Sequence, residues 1–384
     1  MGSEYDMHSL FGFMEGAATA QAMEALRNER SLVISRSTFT GSGYHNGHWL
    51  GDNVAAWADM YYAICGTLAL NMFGVPLVGA DTGFGGDFSP PEMAVRWHQL
   101  GATVFGFFRN HNSAGKPDQA PSSYADPYLS AMRDAITLRM TLIPYWYTTF
   151  SWAHAAGATV TRPLFFEFPT DASLVAIDTQ VMIGEALMAS PVLEPGVVAR
   201  SIYVPRGATF YVWNSGAPLP AGSAGTTISV PAPLDVVPLH VRGGFIVPSQ
   251  QPAMTTVLQE ALPMALTLAL DPATLRARGH LWLDDGVSLN THESGDFFAA
   301  GFEATYAASG SSGALVSNVT STGFAPKALL GSVRILGVAS WGGGAKAMIN
   351  GAPAAVAYDS GTQVLAIDAG SGVRLDAPLS LIWG

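Results

Sequence analysis

The sequence predicts an α/β region followed by all-β domains, and three observations support this fold class. In the first half, short apolar runs alternate with helical segments, the pattern of parallel strands joined by crossover helices. After about Met182 the apolar runs alternate in polarity and are separated by Gly, Pro and Asn turns, which indicates antiparallel sheets. A content of 49% hydrophobic and 12% charged residues predicts well-buried cores, and 384 residues suffice for two or three domains.

The first half contains four predicted strands, each followed by polar residues. The strands are residues 31–35, 75–79, 103–107 and 160–166, and the predicted helices are residues 10–27, 55–72, 91–100 and about 126–155. Arg36, Asp81, Arg109 and Glu167 lie just after these strands. Catalytic residues of β/α barrels lie at the carboxyl ends of their strands. We therefore predict the C-terminal half of a (β/α)8 TIM barrel over residues 1–182.

Half a barrel leaves strand edges unpaired, so we expect a partner for it: the missing N-terminal half of the barrel, in the same polypeptide or as a separate chain. Two β-sandwich domains are predicted after the half-barrel, a proximal one over residues 183–257 and a distal one over residues 258–384. The cluster Asp284-Asp285-Gly286 suggests a calcium site, but a tight hairpin turn is the favoured interpretation.

Composition narrows the classes of ligand. A formal net charge of -11 with only 18 basic residues argues against nucleic acid and favours a neutral substrate. The chain has one cysteine, Cys65, so an internal disulfide is excluded and thiolate metal sites are disfavoured. We predict no metal and no cofactor, because the His and carboxylate residues lack zinc-site spacing. We also predict no membrane span, because apolar runs stay shorter than the roughly 18 residues required.

The most informative segment is Gly51-Asp52-Asn53, preceded by His48 and Trp49. An aspartate between Gly and Asn and beside an aromatic residue is typical of the proton donor in a sugar-cleaving pocket: the glycine lets substrate approach, the ring stacks and the carboxyl donates. The alternative is that Asp52 caps a helix that begins near Val54. Glycoside hydrolysis uses two carboxylates, and a second one is not evident downstream.

Several ordered motifs carry a family resemblance. Residues 36–43 (RSTFTGSG) and 48–53 (HWLGDN) resemble the acid/base region of glycoside hydrolase family 31, most closely its maltase and acid α-glucosidase members. Further motifs match along the chain to its end: residues 79–84 (GADTGF), 96–97 (RW), 99–102 (QLGA), 109–112 (RNHN), 190–196 (SPVLEPG), 238–244 (PLHVRGG) and 282–286 (WLDDG).

The resemblance implies a retaining exo-α-glucosidase that releases terminal glucose from maltose-like oligosaccharides. It implies that Asp52 is the general acid and then the general base. The remaining candidate residues bind substrate: Arg36, Asp81 and His111 by hydrogen bonds to glucose hydroxyls, Trp49 and Phe84 as pocket walls, and Arg109 as a further member of the same group. The family favours the secretory pathway, the lysosome or the extracellular space without fixing the compartment.

Two departures from the family pattern limit these expectations. The family nucleophile is an aspartate in a segment of the type Trp-Ile-Asp-Met-Asn-Glu, which these 384 residues lack, and Asp6 lies in a segment that resembles a later part of the family. The isolated chain is therefore expected to have little activity. Residues 79–84 are also one residue shorter than the family pattern, which would displace Phe84. The alternatives are a non-catalytic carbohydrate-binding or regulatory remnant and an incomplete sequence.

Overall fold

The computed structural model describes residues 2–83, 89–110, 117–342 and 344–384. Two predicted site residues, Phe84 and His111, lie outside the described residues. In the part of the chain that is described, no helix combines the length and the apolar character needed to cross a membrane.

The N-terminal part is α/β. Its elements in chain order are α1 (Glu4–Met7), α2 (Phe11–Arg27), β1 (Ile34–Ser35), β2 (Gly47–Trp49), α3 (Trp57–Met72), β3 (Val78–Gly79), β4 (Asp81–Thr82), α4 (Pro91–Thr103), β5 (Arg109–Asn110), α5 (Tyr128–Thr141), α6 (Ile143–Ala156), β6 (Thr161–Pro163) and α7 (Leu164–Glu167). Single 3-10 turns lie at His8–Leu10, Ser42–Tyr44, Pro121–Ser123 and Ala172–Leu174.

The remainder is almost entirely β. Its elements are β7 (Val181–Ile183), β8 (Leu187–Ala189), β9 (Ala199–Val204), β10 (Phe210–Val212), β11 (Thr226–Pro231), β12 (Leu239–Arg242), β13 (Phe245–Gln250), α8 (Thr256–Gln259), β14 (Met264–Ala269), β15 (Arg276–Leu283), α9 (Thr291–Ser294), β16 (Phe298–Tyr306), β17 (Gly313–Thr322), β18 (Leu329–Leu336), β19 (Ala347–Ile349), β20 (Ala352–Asp359), β21 (Val364–Arg374) and β22 (Ser380–Trp383).

The α/β part contains the predicted parallel strands, but some differ from the prediction. β1, β2 and β3 form one parallel sheet, and β4 and β5 form a second. β2 was not predicted, because three residues of mixed polarity give no strand pattern. The strand predicted at 103–107 is wrong: α4 continues to Thr103, and the strand that pairs is β5. The helix predicted at 126–155 is divided at Leu142, two residues before Pro144, which has no N–H for the helical ladder.

The strand predicted at 160–166 is not a parallel barrel strand. β6 pairs antiparallel with β7 in a five-stranded sheet of order β10-β12-β8-β7-β6, and residues 164–167 form the helical turn α7. Glu167 therefore does not lie at a barrel strand end; it forms ion pairs with Arg162 (2.8 Å) and Arg242 (2.9 Å). An apolar run alone cannot distinguish a parallel from an antiparallel buried strand, which explains the error.

The distal part also differs from the predicted sandwich. Strands β13 to β22 form one closed barrel-like sheet of ten strands, in which β13 pairs with β14 and, at Phe245 with Arg278, in parallel with β15. Alternating polarity is produced by a closed sheet as well as by a sandwich, so the pattern could not separate the two. β13 comes from the segment predicted as proximal and β7 spans residue 182; the boundaries at 182 and 257 stay predictions.

A buried polar network joins the α/β part to the distal sheet. The Asp284 carboxylate, fully buried after β15, accepts hydrogen bonds from Arg30 (2.6 Å), Tyr147 of α6 (2.6 Å) and Thr291 of α9 (2.6 Å). The tight hairpin predicted here is wrong, because fourteen residues including α9 separate β15 from β16. Asp284 instead ties three chain segments together, since a buried carboxylate must be paired.

We expect Asp284→Ala to lower the free energy of unfolding by about 3 kcal/mol, because it leaves Arg30 without its buried carboxylate partner. Chemical denaturation followed by circular dichroism measures this. Asp285→Ala is the matched control. Asp285 is exposed; it accepts hydrogen bonds within its own turn and lies 3.5 Å from Arg30. Its loss should therefore lower the free energy of unfolding by no more than about 1 kcal/mol. Equal losses in the two variants would contradict the role of Asp284.

Stability should also depend on pH through His240 of β12. Burial lowers the pKa of His240 to about 4, whereas an unfolded histidine titrates near 6.5. Above that pH the residue is neutral in both states. As the pH falls toward 4 the unfolded chain binds a proton that the fold excludes, so about 3 kcal/mol of stability is lost in this window. His240→Gln should remove this part of the pH dependence, measured by denaturation at pH 7 and 4.5, and the exposed His8→Gln should not.

Candidate functional site

Four of the predicted site residues lie at the ends of parallel strands. Arg36 follows β1, Trp49 ends β2, Asp81 begins β4 and Arg109 begins β5. Arg36 and Trp49 thus lie at the carboxyl ends of the paired parallel strands β1 and β2, whereas Asp81 and Arg109 lie opposite each other at the start of the paired parallel strands β4 and β5. The structure brings these four side chains together, and Asp52 joins them through Arg36.

Trp49 is at the centre of this cluster. Its indole Nε1 donates a hydrogen bond to Asp81 Oδ1 at 2.9 Å. The guanidinium carbons of Arg109 and Arg36 lie 4.9 Å and 5.8 Å from the centre of its ring, within range of cation–π attraction. A Cβ atom at Gly51 would lie 1.5 Å from Cε2 of the same ring. Position 51 therefore requires glycine because the Trp49 ring leaves no space for a side chain. The sequence alone explains this glycine only by the approach of substrate.

Asp81 is a fully buried carboxylate with a cation beside it. Arg109 Nε lies 3.0 Å from Asp81 Oδ1, the oxygen that also accepts from Trp49. The Asn53 side chain bonds to both backbone groups of Asp81. Its Nδ2 donates to the Asp81 carbonyl and its Oδ1 accepts from the Asp81 N–H, both at 2.9 Å. Sequence reasoning gave Asn53 no role of its own, although its place after Asp52 in a matching motif was a signal. This pairing fixes Asp81 to the loop that carries Asp52.

Asp52 is exposed and adopts an unusual backbone conformation. Its φ is +50°, a left-handed geometry that Asp tolerates better than most residues. Its Oδ2 lies 3.2 Å from Arg36 Nη1, and both side chains are about 60% exposed. The alternative role as a helix cap is wrong, because α3 begins at Trp57 with Ala56 as its N-cap. Asp52 is therefore free to meet a ligand while Arg36 holds its carboxyl in place.

His48 is a further polar residue of the site that sequence reasoning did not assign. Its Nδ1 lies 2.9 Å from Thr38 Oγ1. Burial, and to a lesser degree the charge of Arg36, lowers the pKa of His48. The imidazole is thus kept neutral at neutral pH, beside the charge of Arg36. The site combines one exposed carboxylate, one buried carboxylate neutralised by Arg109, and an aromatic ring, a set suited to a polyhydroxylated neutral ligand. Because Asp52 and Asp81 each face an arginine, the set is poorly suited to a metal ion.

Comparison with known families matches two segments of the chain, which together reach from residue 1 to residue 247. Residues 1–149 match the model of the glycosyl hydrolases family 31 TIM-barrel domain. Residues 157–247 match the glycosyl hydrolase family 31 C-terminal domain.

Curated relatives agree with these matches. The chain is 41% identical to the lysosomal alpha-glucosidase of Mus musculus over 320 residues, which is 79% of this chain and 33% of that protein. It is 40% identical to the intestinal sucrase-isomaltase of Rattus norvegicus over 341 residues, 88% of this chain and 18% of that protein. The chain thus spans about a third of the length of the lysosomal relatives that it matches.

Solved structures support the same fold. The glucosidase II alpha subunit superposes with a TM-score of 0.89 at 27% identity, covering 100% of this chain and 43% of that one. A dextranase of the same family from Flavobacterium johnsoniae superposes with a TM-score of 0.87 at 20% identity, and it covers 100% of this chain and 49% of that one. The second likeness shows the fold alone.

The hydrogen bond from Trp49 to Asp81 should contribute measurably to stability. Trp49→Phe removes the N–H but keeps an aromatic ring, so a buried carboxylate loses one donor. We expect a loss of about 2 kcal/mol beyond that of the control Trp282→Phe. Trp282 is also half-buried, and within the described residues its Nε1 has no hydrogen-bond partner. Urea denaturation of both variants gives the difference; equal losses would mean that the bond to Asp81 contributes nothing.

Proposed function

Because the chain belongs to glycoside hydrolase family 31, we propose that it supplies the acid/base side of the active site of a retaining exo-α-glucosidase that releases glucose from maltose-like oligosaccharides. The observation that carries the proposal is the convergence of Asp52 and Arg36 on the Trp49–Asp81–Arg109 cluster at parallel strand ends. Alpha-glucosidases and sucrase-isomaltase among the relatives support an α-glucoside as substrate.

In this proposal Asp52 first donates its proton to the leaving glycosidic oxygen and then takes a proton from the attacking water. Its exposure leaves the carboxyl accessible, and the Arg36 contact at 3.2 Å orients it. Asp81 keeps its proposed role as a ligand of a sugar hydroxyl on the strength of its motif, and its ion pair with Arg109 makes it a poor nucleophile. Trp49 presents an apolar ring to the sugar. Phe84 and His111 keep their proposed roles as pocket wall and hydroxyl ligand, on the strength of the motifs alone.

The nucleophile belongs, in this proposal, to a segment outside these 384 residues. Retaining enzymes place their two carboxyl groups about 5 to 5.5 Å apart, so the missing segment must pack directly beside the Asp52 loop. The surface near β1 supports such a partner. Large apolar side chains are exposed there, as expected of a surface that the N-terminal half of the barrel covers: Phe11, Met14, Leu32, Phe39 and Tyr44.

A second candidate function is a non-catalytic carbohydrate-binding or regulatory protein. The sequence feature that favours it is the lack of a segment of the Trp-Ile-Asp-Met-Asn-Glu type. It requires only that the site bind sugar. Calorimetric titration with maltose and an assay for released glucose, both on a polypeptide that joins this chain to the nucleophile segment, separate the two. Binding without release by a polypeptide that includes the nucleophile segment would favour the second candidate.

The acid/base role of Asp52 is tested in a polypeptide that joins this chain to the nucleophile-bearing region of a family member. We expect Asp52→Asn to lower kcat for maltose by 10²- to 10⁴-fold, the usual contribution of a general acid or base. Asp6→Asn, an exposed residue of α1 remote in sequence from the cluster, is the control and should leave kcat unchanged. Glucose release from maltose is the measurement. Undiminished release by Asp52→Asn would exclude this role.

A further inference from the structure

A second cluster of ligand atoms lies away from the site described above, where α6 meets the connection before β16. It consists of His154 in the last turn of α6 and of His292 and Glu293 in α9. One ligand atom from each residue lies within 4.8 Å of the other two. We propose that these three residues bind a divalent transition-metal ion, with Zn²⁺ the preferred ion at ordinary availability. This site is independent of the proposed glycosidase function.

The donor set determines the kind of ion. Two imidazole nitrogens and one carboxylate oxygen match the ligands that zinc takes in three-residue sites, which leave a fourth position for water. Imidazole donors select Zn²⁺, Cu²⁺ or Ni²⁺, whereas Mg²⁺ and Ca²⁺ require a shell of oxygen atoms. The three ligands contribute one negative charge, from the Glu293 carboxylate. A bound divalent cation therefore leaves the site with a net charge of +1.

The distances are close to those of a tetrahedral site. Zinc bonds of about 2.0 to 2.2 Å imply ligand atoms about 3.4 Å apart. The His154 Nε2 to Glu293 Oε1 distance is already 3.2 Å. His292 completes the set after a shift of about 1.4 Å at most, the difference between 4.8 Å and the tetrahedral separation. His154 and Glu293 are more than half exposed, so side-chain rotation allows this closure.

Neighbouring contacts preorganise α9. Thr291 donates to the buried Asp284 at 2.6 Å, which fixes the start of α9 to the buried polar network around Asp284. The His292 ring stacks on Phe297 with centroids 5.5 Å apart and planes 13° apart, and Phe297 in turn stacks on Trp282. The His154 ring meets the His292 ring edge-on at 5.3 Å. The start of α9 and the His292 ring are therefore held in place by contacts other than the His154–Glu293 pair, which lowers the entropy cost of binding a metal.

The alternative is that His154 and Glu293 form a surface ion pair and nothing more. Such an exposed pair would be of small energetic value and would not involve His292. The chain offers a matched control for this case: His8 and Glu4 form an exposed pair at 2.7 Å between α1 and the following 3-10 turn. If a His–Glu pair alone were enough to bind zinc, the two pairs would bind equally.

The test is a titration of the purified chain with ZnCl2 in chelator-free buffer against a chromophoric zinc indicator. We expect one tight equivalent, lost or weakened at least tenfold in His154→Ala, His292→Ala and Glu293→Gln, and unchanged in His8→Ala. Zn²⁺ should also raise the thermal midpoint of the unsubstituted chain and not that of His154→Ala. A hundredfold excess of Mg²⁺ or Ca²⁺ should not displace the zinc.

Three results would overturn the proposal. The first is the absence of saturable zinc uptake by the unsubstituted chain. The second is equal zinc affinity of the His292→Ala variant and the unsubstituted chain, which leaves only the surface pair. The third is displacement of zinc by Mg²⁺ at similar concentration, which would mean that oxygen atoms and not imidazoles hold the ion. Since His154 and Glu293 are exposed, their variants should fold, and circular dichroism verifies this.

Discussion

The buried negative charge of Asp81 is the constraint on which the rest of the site depends. A carboxylate without exposure is tolerated only when it is paired. Arg109 provides the charge, and the Trp49 indole provides a donor to the same oxygen. These two partners come from different strands, so satisfying Asp81 holds the ends of β2, β4 and β5 at a common place. Trp49 then fixes Arg36 through its ring and excludes a side chain at Gly51.

The position of Asp52 follows from that arrangement. Asn53 is bonded to both backbone groups of Asp81, so the loop after β2 is anchored one residue beyond Asp52. On the other side, Gly51 lies against the indole. Between two fixed neighbours, Asp52 adopts a positive φ and points its carboxyl toward Arg36. Asp52, the exposed residue that is proposed to exchange protons, is thus positioned by Gly51, Asn53 and Asp81, which take no part in the proposed exchange.

Four of the residues that sequence reasoning proposed lie together in the structure: Arg36, Trp49, Asp81 and Arg109. They could be proposed because polar residues after apolar runs and ordered motifs can be read locally. Asn53 was missed because its role lies in two backbone bonds to a residue distant in sequence. The same limit applies to the fold. β6 was misjudged because its pairing direction is decided by a partner elsewhere in the chain, and β2 was missed because three residues of mixed polarity give no strand pattern. The closed distal sheet was missed because closure depends on the β13–β15 contact.

Helix α6 shows how the C-terminal sheet contributes to the α/β part. Tyr147 donates a hydrogen bond to Asp284, and the Thr148 hydroxyl accepts one from the backbone N–H of Trp282 at 3.0 Å. His154 Nε2 lies 3.2 Å from Glu293 Oε1. These contacts, two from adjacent residues of α6 and one from near its end, reach β15 and the segment between β15 and β16. No metal was predicted from the sequence because the His and carboxylate residues lack zinc-site spacing. His154 and His292 are far apart along the chain, and this packing makes them neighbours. The C-terminal sheet, which takes no part in the proposed chemistry, therefore constrains the position of α6.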